Sequence, residues 1–157
     1  MRVGIGYDSH KFVSGRPLIL GGQTIPFDQG LAGHSDADAV SHALTDAILG
    51  AAAAGNIGSL FPDSDPQWQG ADSLALLGAA YQRVEALGYT FNQADVTVIM
   101  ERPKLGPHTA AMAQALAQVL GAEAGAISIK AKTNEGMGFI GRGEGVAVMA
   151  VATLERR

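Results

Sequence analysis

The sequence predicts an α+β fold in which helices cover one face of a mixed sheet. The predicted elements run strand, hairpin, helix, helix, strand, helix, strand, strand, so that βαβ units are present but split. The chain has 157 residues, of which 47% are hydrophobic, which is enough for one packed core. Since no repeat or linker interrupts the sequence, we expect residues 1–157 to form a single domain.

The first half of the chain contains a strand, a hairpin and a long helix. "MRVGIGY" predicts the strand. "RPLILGGQTIP" predicts a hairpin or a pair of short strands, because short aliphatic runs flank two glycines. "HSDADAVSHALTDAILGAAAAG" predicts a helix that Ser35 or Asp36 caps, with acidic residues in its first turn and Gly55 at its end. "SLFPDSDPQWQGADS" is typical of a loop.

The second half alternates helices and strands. Helices are predicted over 72–87 and about 107–120, and "ADVTVIM" between them predicts a buried strand. "AISIKAK" alternates as a half-buried strand does, and "EGMGFIGRGEG" leads into a last strand, "VAVMAVATL". This order favours a sandwich in which the helices lie on one face of a mixed sheet.

Composition excludes several classes of function. The net charge is −4 without a basic block, which argues against nucleic-acid binding. The absence of cysteine excludes disulfides, thiolate metal sites and a cysteine nucleophile, and it fits a cytoplasmic protein. The longest apolar stretch, "AILGAAAAGNIG", is too short to span a bilayer. With 21 glycines and 6% aromatic residues, the core must use small side chains, which makes an oligomer worth considering.

A metal site is predicted from the first strand and the first helix. Asp8 and His10 lie two residues apart, so an alternating strand points both to one face. His42 has Asp38 and Asp46 one turn away on the same helical face, an arrangement in which a carboxylate fixes the tautomer of a metal-binding histidine. Two nitrogens and one oxygen would leave a tetrahedral zinc position open. Turn, surface and core roles for the three residues remain the alternative.

A phosphate-binding segment is predicted in "KAKTNEGMGFIGRGEG". Glycine N–H groups and Lys132 suit phosphate, and Glu135 suits a hard divalent cation shared with phosphate oxygens. An ordinary glycine-rich turn is the alternative, and the Walker A and Rossmann patterns are absent. Asp63 and Asp65 in "FPDSD" are read first as turn aspartates and otherwise as ligands for substrate hydroxyls.

These motifs resemble the 2-C-methyl-D-erythritol 2,4-cyclodiphosphate synthase family. The resemblance runs along the whole chain in "GIGYDSHKF", "AGHSDADAVSHALTDAILGA", "IGSLFPDSD", "VTVIMERPKLGPH" and "KAKTNEGMGFIGRGEG". It implies a two-layer sandwich of the ferredoxin-like or chorismate-mutase-like type. It also implies a phosphorus–oxygen lyase of the non-mevalonate isoprenoid (terpenoid) pathway. In the implied reaction, the 2-phosphate of 4-diphosphocytidyl-2-C-methyl-D-erythritol 2-phosphate attacks the β-phosphate, and CMP leaves.

The resemblance also implies roles for individual residues. Asp8, His10 and His42 would hold zinc, Glu135 would hold magnesium or manganese, and His34 and Thr133 would stabilise the transition state. Residues 61–65 would contact the methylerythritol portion, and residues 100–106 would receive the cytidine. The residues implied to contact substrate are Asp8, Ser9, His10, His34, Ser35, Asn56, Ile57, Gly58, Phe61, Pro62, Asp63, Ser64, Asp65, Met100, Glu101, Arg102, Pro103, Lys104, Leu105, Gly106, Lys132, Thr133, Asn134, Glu135, Phe139 and Arg142.

A homotrimer with active sites between subunits is implied as well, and some family members bind an isoprenoid diphosphate in a central cavity. Arg142 and Glu144 lie in the stretch that matches this cavity. One position departs from the family pattern, because Asn56 stands where "GDIG" usually has aspartate. Two other functions use the same residues: a zinc-dependent phosphoesterase, which would give a linear phosphate, and a non-catalytic trimer that binds isoprenoid diphosphates.

Overall fold

The computed structural model describes residues 1–157 and contains seven strands and five helices. The strands are β1 (Arg2–Val13), β2 (Leu18–Leu20), β3 (Gln23–Ile25), β4 (Gly30–Leu31), β5 (Tyr89–Ile99), β6 (Ile127–Lys132) and β7 (Gly145–Arg156). The helices are α1 (Ala39–Ala51), α2 (Ile57–Leu60), α3 (Ser73–Ala86), α4 (Thr109–Val119) and α5 (Gly138–Gly141). No helix is both long and apolar enough to cross a membrane.

The main sheet is mixed and has the strand order β4-β1-β7-β5-β6. β7 runs antiparallel to both β1 and β5, whereas β5 and β6 are parallel. The parallel pair needs a crossover, and α4 supplies it. β2 and β3 form the predicted hairpin outside this sheet. The expectation of an α+β fold with a mixed sheet is confirmed.

Helix α1 lies directly on β1, and two glycines permit this approach. A Cβ atom added at Gly4 would lie 2.0 Å from the Ala47 carbonyl oxygen, and one at Gly6 would lie 1.9 Å from the Ala43 carbonyl oxygen. Any side chain at either position would therefore push the helix off the strand. The two glycines place the first turn of α1 next to the end of β1, where Asp8 and His10 lie.

The two faces of the sheet differ in exposure. The face under the helices is buried. Its β7 residues are all fully buried: Val146, Val148, Ala150, Ala152 and Leu154. On the opposite face of β1 and β7, large apolar side chains reach solvent. They are Val3, Ile5, Tyr7, Met149 and Val151, exposed by 66%, 65%, 57%, 43% and 40%. We call these five residues the open-face patch.

The predicted start of the first helix is wrong. The helix begins at Ala39, and its N-cap is Asp38, whose side chain accepts a hydrogen bond from the Ser41 backbone N–H. Its first turn contains no acidic residue, and it ends at Ala51 rather than Gly55. Asp36 does not cap it because both of its carboxylate oxygens accept hydrogen bonds from Ser73, across to α3.

The first strand, predicted over residues 1–7, continues to Val13, whereas most of the other elements agree with the prediction to within a few residues. The helices predicted over 72–87 and 107–120 span 73–86 and 109–119, and the strand predicted at 94–100 starts earlier, at Tyr89. Three short elements were not predicted: β4, α2 and α5. Each has two to four residues, too few to produce a periodic pattern in the sequence.

Candidate active site and metal centre

The structure brings the three predicted zinc ligands together. Asp8 and His10 share a face of β1, and His42 comes from the first turn of α1. Asp8 Oδ2 lies 2.8 Å from His10 Nε2 and 3.2 Å from His42 Nδ1, and one donor atom of each residue lies within 4.8 Å of the others. This donor set is the one found in catalytic zinc sites that keep a fourth position open.

The orientation of the His10 ring fits a shared cation. A carbonyl only accepts hydrogen bonds, so Nδ1 of His10 carries a hydrogen and donates it to the Ala32 carbonyl at 2.6 Å. The other ring nitrogen, Nε2, faces Asp8. Burial opposes a charged His10, but the hydrogen bond and the charge of Asp8 raise the pKa of His10. Burial likewise opposes ionisation of Asp8, yet the two histidines hold the pKa of Asp8 below its ordinary value. Two acceptor atoms this close need a positive ion between them, either a proton or a metal.

The predicted carboxylate support for His42 is wrong in both of its residues. Asp38 is fully buried and points to the hairpin, where it accepts from the backbone N–H groups of Gly21 and Gly22 at 2.9 and 2.8 Å. Asp46 accepts from the Ile57 backbone N–H at 2.7 Å and so ties α2 to α1. Burial, together with the nearby charge of Asp8, raises the pKa of Asp46 against the effect of that hydrogen bond.

A first cavity of about 280 Å³ opens over the triad. One wall comes from β1 and α1, and the other comes from α2 and the loop that follows it. Its lining residues are Asp8, His10, Gly33, His34, Ser35, His42, Ile57, Gly58, Phe61, Asp63, Trp68 and Leu76. Nine of these belong to the predicted site, and the exceptions are Gly33, Trp68 and Leu76.

The loop beside the cavity is held in shape by its own polar side chains. Asn56 caps α2 through a hydrogen bond from the Ser59 backbone N–H at 2.9 Å. Asp65 accepts from the backbone N–H of Gln67 at 3.1 Å and caps the short 3₁₀ turn that follows, in agreement with its preferred reading as a turn aspartate. Phe61 and Trp68 pack edge to face with ring centroids 5.0 Å apart. Asp63, by contrast, faces the cavity.

His34 is hydrogen-bonded to this loop and lines the first cavity together with the triad. Its Nε2 donates to the Asp65 carbonyl at 3.2 Å, and its own carbonyl accepts from the Gly70 backbone N–H at 2.8 Å. Since Nε2 is engaged, Nδ1 is the nitrogen available to a ligand in the cavity.

A second cavity of about 340 Å³ lies on the strand ends of β5 and β6. Its lining residues are Met100, Glu101, Pro103, Lys104, Leu105, Gly106, Thr109, Ile129, Ala131, Lys132 and Thr133. None of them lines the first cavity. Within one chain, the predicted site is therefore divided between two cavities, one with the metal triad and one with the segment expected to receive cytidine.

Part of the predicted phosphate-binding segment shapes the rim of the second cavity. Glu101 Oε1 accepts from the backbone N–H groups of Asn134 and Gly136 at 2.9 and 3.4 Å. Thr133 Oγ1 accepts from the Glu135 N–H at 3.3 Å, which leaves the hydroxyl hydrogen free to donate. Glu135 is exposed and has φ +53°, and a non-glycine residue in this left-handed region is uncommon.

A third cavity, of about 370 Å³, is lined by Phe139 of α5 and by Ser9 and His10 of β1, so α5 lies beside β1. Arg142, in contrast, is paired with Glu144 at 3.0 Å on the surface. Several predicted substrate contacts line none of the three cavities. They are Asn56, Pro62, Ser64, Asp65, Arg102, Asn134, Glu135 and Arg142.

Sequence reasoning missed two polar residues that contact the site. Ser73 touches His42, and Asp36 touches Ser73. In the sequence, "ADS" at 71–73 indicates only the start of a helix, and no local spacing relates residue 73 to residue 42. Leu76, one turn further along α3, also lines the first cavity. Both Ser73 and Leu76 reach the site because α3 packs against α1.

Comparison with known proteins identifies the family. A sequence profile of the YgbB family matches residues 1–155. The 2-C-methyl-D-erythritol 2,4-cyclodiphosphate synthase of Salinibacter ruber is 54% identical over 155 residues, which is 99% of each chain. The protein of the same name from Bordetella pertussis is also 54% identical over 155 residues, covering 99% of this chain and 96% of the other.

Solved structures agree in fold. The bifunctional IspDF of Campylobacter jejuni superposes with a TM-score of 0.96 at 42% identity, over 99% of this chain and 42% of that longer one. A 2C-methyl-D-erythritol-2,4-cyclodiphosphate synthase in a CDP-bound form superposes with a TM-score of 0.89 at 43% identity, over 98% of this chain and all of that one. The chain belongs to the YgbB family of 2-C-methyl-D-erythritol 2,4-cyclodiphosphate synthases, which are cyclising enzymes of the phosphorus–oxygen lyase class.

Proposed function

We propose that this chain converts 4-diphosphocytidyl-2-C-methyl-D-erythritol 2-phosphate to 2-C-methyl-D-erythritol 2,4-cyclodiphosphate and CMP, in the non-mevalonate pathway to isoprenoids. The observation that carries the proposal is the triad of Asp8, His10 and His42 on the wall of a cavity large enough for a phosphorylated ligand. Relatives that carry the product's name cover the full chain, and a solved neighbour is a CDP-bound form.

The chemistry is an intramolecular phosphoryl transfer. An oxygen of the 2-phosphate attacks the β-phosphorus, the bond from that phosphorus to the oxygen bridging to the α-phosphate breaks, and CMP leaves with the bridging oxygen. The substrate supplies its own nucleophile, so the protein has to position two anionic groups and neutralise their charge. A site built from a metal triad, glycine N–H groups and Lys132 suits this task better than one built around a nucleophilic side chain.

Two divalent cations belong to the proposal. Asp8, His10 and His42 would hold Zn²⁺, and the exposed carboxylate of Glu135 would hold Mg²⁺ or Mn²⁺. When bound, the ions supply positive charge next to the diphosphate. The hard oxygen ligand at Glu135 and the nitrogen-rich triad match the preferences of the two metals.

His34 and Thr133 are proposed to stabilise the transition state by hydrogen bonds. The Thr133 hydroxyl has a free hydrogen because its oxygen accepts from Glu135, so it can donate to a phosphate oxygen. His34 can donate from Nδ1 when the ring is protonated, because Nε2 is held by the Asp65 carbonyl. Loss of one such donor costs on the order of 10²- to 10³-fold in turnover.

We further propose a homotrimer whose active sites lie between subunits. The open-face patch forms a contiguous apolar surface, because Ile5 lies opposite Val151 and Tyr7 lies opposite Met149 in the β1–β7 ladder. Such a patch on the bare face of a sheet is typical of a protein interface. Association would also explain the divided site, since the triad cavity of one subunit would be completed by the cytidine cavity of the next. An isoprenoid diphosphate in the centre of the trimer remains a prediction.

Subunit mixing tests the divided site. His42→Ala disables the triad half, and Thr133→Ala disables the other half, so each homotrimer should be nearly inactive. Co-expressed subunits should regain up to about one quarter of the wild-type sites, because random assortment places two intact halves at that fraction of interfaces. Mixed trimers no more active than the two variants alone would show that each chain carries a complete site.

Phosphorus NMR of the products tests the reaction itself. Incubation of the cytidylyl substrate with zinc and magnesium should give a cyclic diphosphate and CMP, whereas a phosphoesterase would give a linear phosphate. His42→Ala should lose bound zinc by elemental analysis, and His108→Ala is the matched control because that histidine lies outside the triad. Linear product, or unchanged zinc in His42→Ala, would contradict the proposal.

A further inference from the structure

The nitrogen of His42 that points away from Asp8 is held by a buried serine on another helix. His42 Nε2 lies 2.8 Å from Ser73 Oγ, and Ser73 is the first residue of α3 and fully buried. The Ser73 hydroxyl donates to Asp36 Oδ1, and the Ser73 backbone N–H donates to Asp36 Oδ2 at 3.0 Å. The three residues therefore form a chain from a carboxylate, through a hydroxyl, to the metal-binding ring.

This chain determines which nitrogen of His42 carries the proton. A hydroxyl has one hydrogen, and Ser73 gives it to a carboxylate that can only accept. Ser73 Oγ consequently turns a lone pair towards His42, and that lone pair requires a hydrogen on Nε2. A neutral ring with its hydrogen on Nε2 has a bare Nδ1, which is the nitrogen that lies 3.2 Å from Asp8 Oδ2.

Asp8 favours the other tautomer of His42. Its carboxylate lies next to Nδ1 and on its own would favour a hydrogen there, which would block that nitrogen as a metal ligand. Ser35 Oγ also lies near Nε2, but at 3.2 Å, and it already accepts from the Ala37 N–H. The shorter contact, from Ser73, is the one that opposes Asp8.

We propose that Ser73, oriented by Asp36, is a positioning residue for metal binding that keeps Nδ1 of His42 free for the cation. The inference rests on the metal site of the proposed function and adds the residues that prepare one of its ligands. The support comes from α3, a helix that contributes no ligand, so the packing of α3 on α1 contributes to the affinity for metal. Partners of this kind typically change metal affinity by about 10- to 100-fold when they are removed.

The test compares two variants at the start of α3, with Zn²⁺ alone as the probe. Ser73→Ala should bind Zn²⁺ about 10- to 100-fold more weakly than wild type in a competition with a chromophoric chelator. Asp72→Ala is the matched control: Asp72 is the exposed cap of the same helix and accepts from the Leu74 N–H. It disturbs the same helix end without touching His42, so its zinc affinity should stay within about twofold of wild type.

A spectroscopic measurement separates positioning from a general loss of structure. In the metal-free wild type at alkaline pH, ¹⁵N resonances of the His42 ring should show the hydrogen mainly on Nε2. In Ser73→Ala it should move to Nδ1, next to Asp8. Wild-type protein with the hydrogen on Nδ1 would overturn the inference without any variant, as would Ser73→Ala with wild-type zinc affinity.

Neither measurement uses substrate, so the two proposals can fail separately. If zinc affinity and the ring tautomer change as expected while no cyclic product forms, the proposed reaction is wrong and the role of Ser73 stands. If cyclic product forms while Ser73→Ala binds zinc as wild type does, the role of Ser73 is wrong and the reaction stands.

Discussion

A single methyl group added at Gly6 should weaken the proposed zinc site without touching any of its three ligands. In Gly6→Ala the new Cβ would lie 1.9 Å from the Ala43 carbonyl oxygen and 2.9 Å from the Ala47 nitrogen, both of which are backbone atoms of α1. Neither atom can rotate away, so strand and helix must separate by about 1 Å or more. β1 carries Asp8 and His10 and α1 carries His42, whereas metal–ligand distances tolerate only about 0.2 Å.

The expected losses follow from that displacement. Overpacking of this kind costs about 1 to 3 kcal/mol, which corresponds to a fall of about 2 to 12 °C in the Tm of a chain of this size. Zinc affinity should fall at least about tenfold, because the two halves of the triad move apart. Thermal unfolding of the metal-free protein and a chelator competition measure the two effects.

Gly50→Ala is the matched control on the same helix. The nearest atom to its new Cβ would be the Ile5 carbonyl oxygen at 4.0 Å, an ordinary contact. Alanine is the better helix former, so this variant should gain about 0.5 to 1 kcal/mol and keep its zinc. Gly6→Ala with the Tm and the zinc affinity of wild type would refute the claim that close backbone contact positions His42.

Three further predictions concern side chains. Asp38→Asn should destabilise the fold by about 2 to 4 kcal/mol in urea unfolding, because its amide NH₂ would face backbone N–H donors of the hairpin or of Ser41. The control is Asp28→Asn at an exposed position, and equal losses of stability in the two variants would contradict the prediction. Asn56→Asp should retain turnover with a modest change in KM, because either residue caps α2, and a large gain in kcat would show that the negative charge matters. Glu135→Gln should raise the Mg²⁺ or Mn²⁺ concentration needed for half-maximal turnover, and an unchanged requirement would remove Glu135 as a ligand.

Features that depend on local periodicity could be predicted from the sequence. The alternation of "GYDSH" places Asp8 and His10 on one face because a strand has a period of two, and no distant contact alters that. The helix start at residue 39 could not be predicted, since Ser35, Asp36 and Asp38 are all good caps in isolation. Tertiary contacts determine which residue caps the helix. Asp36 accepts a hydrogen bond from Ser73 instead, and Asp38 binds the backbone of the turn between β2 and β3 while it caps α1.

The position of Asp38 also explains why its predicted role at the metal failed. Four donors converge on this buried carboxylate: the N–H groups of Gly21 and Gly22, and both the N–H and the hydroxyl of Ser41. Burial raises the pKa of Asp38, and these hydrogen bonds oppose that effect. A residue committed to so many partners has no lone pair to spare for His42, although helical spacing places the two side by side. Spacing identifies which side chains are neighbours, whereas the competing donors decide which of them interact.

The division of the site between two cavities is the property least visible in the sequence. The candidate metal triad depends on β1 meeting α1, and the second cavity depends on β5 meeting β6. The strand order places β7 between β1 and β5. β7 presents Met149 and Val151 to solvent on the same open face as β1. In the proposed trimer, association would cover this apolar surface and bring the two cavities of neighbouring subunits together, whereas a monomer would leave the surface exposed to water. The same strands would then account for both assembly and catalysis, so a charge placed at Ile5 should impair subunit association and turnover together while the zinc affinity of each chain persists.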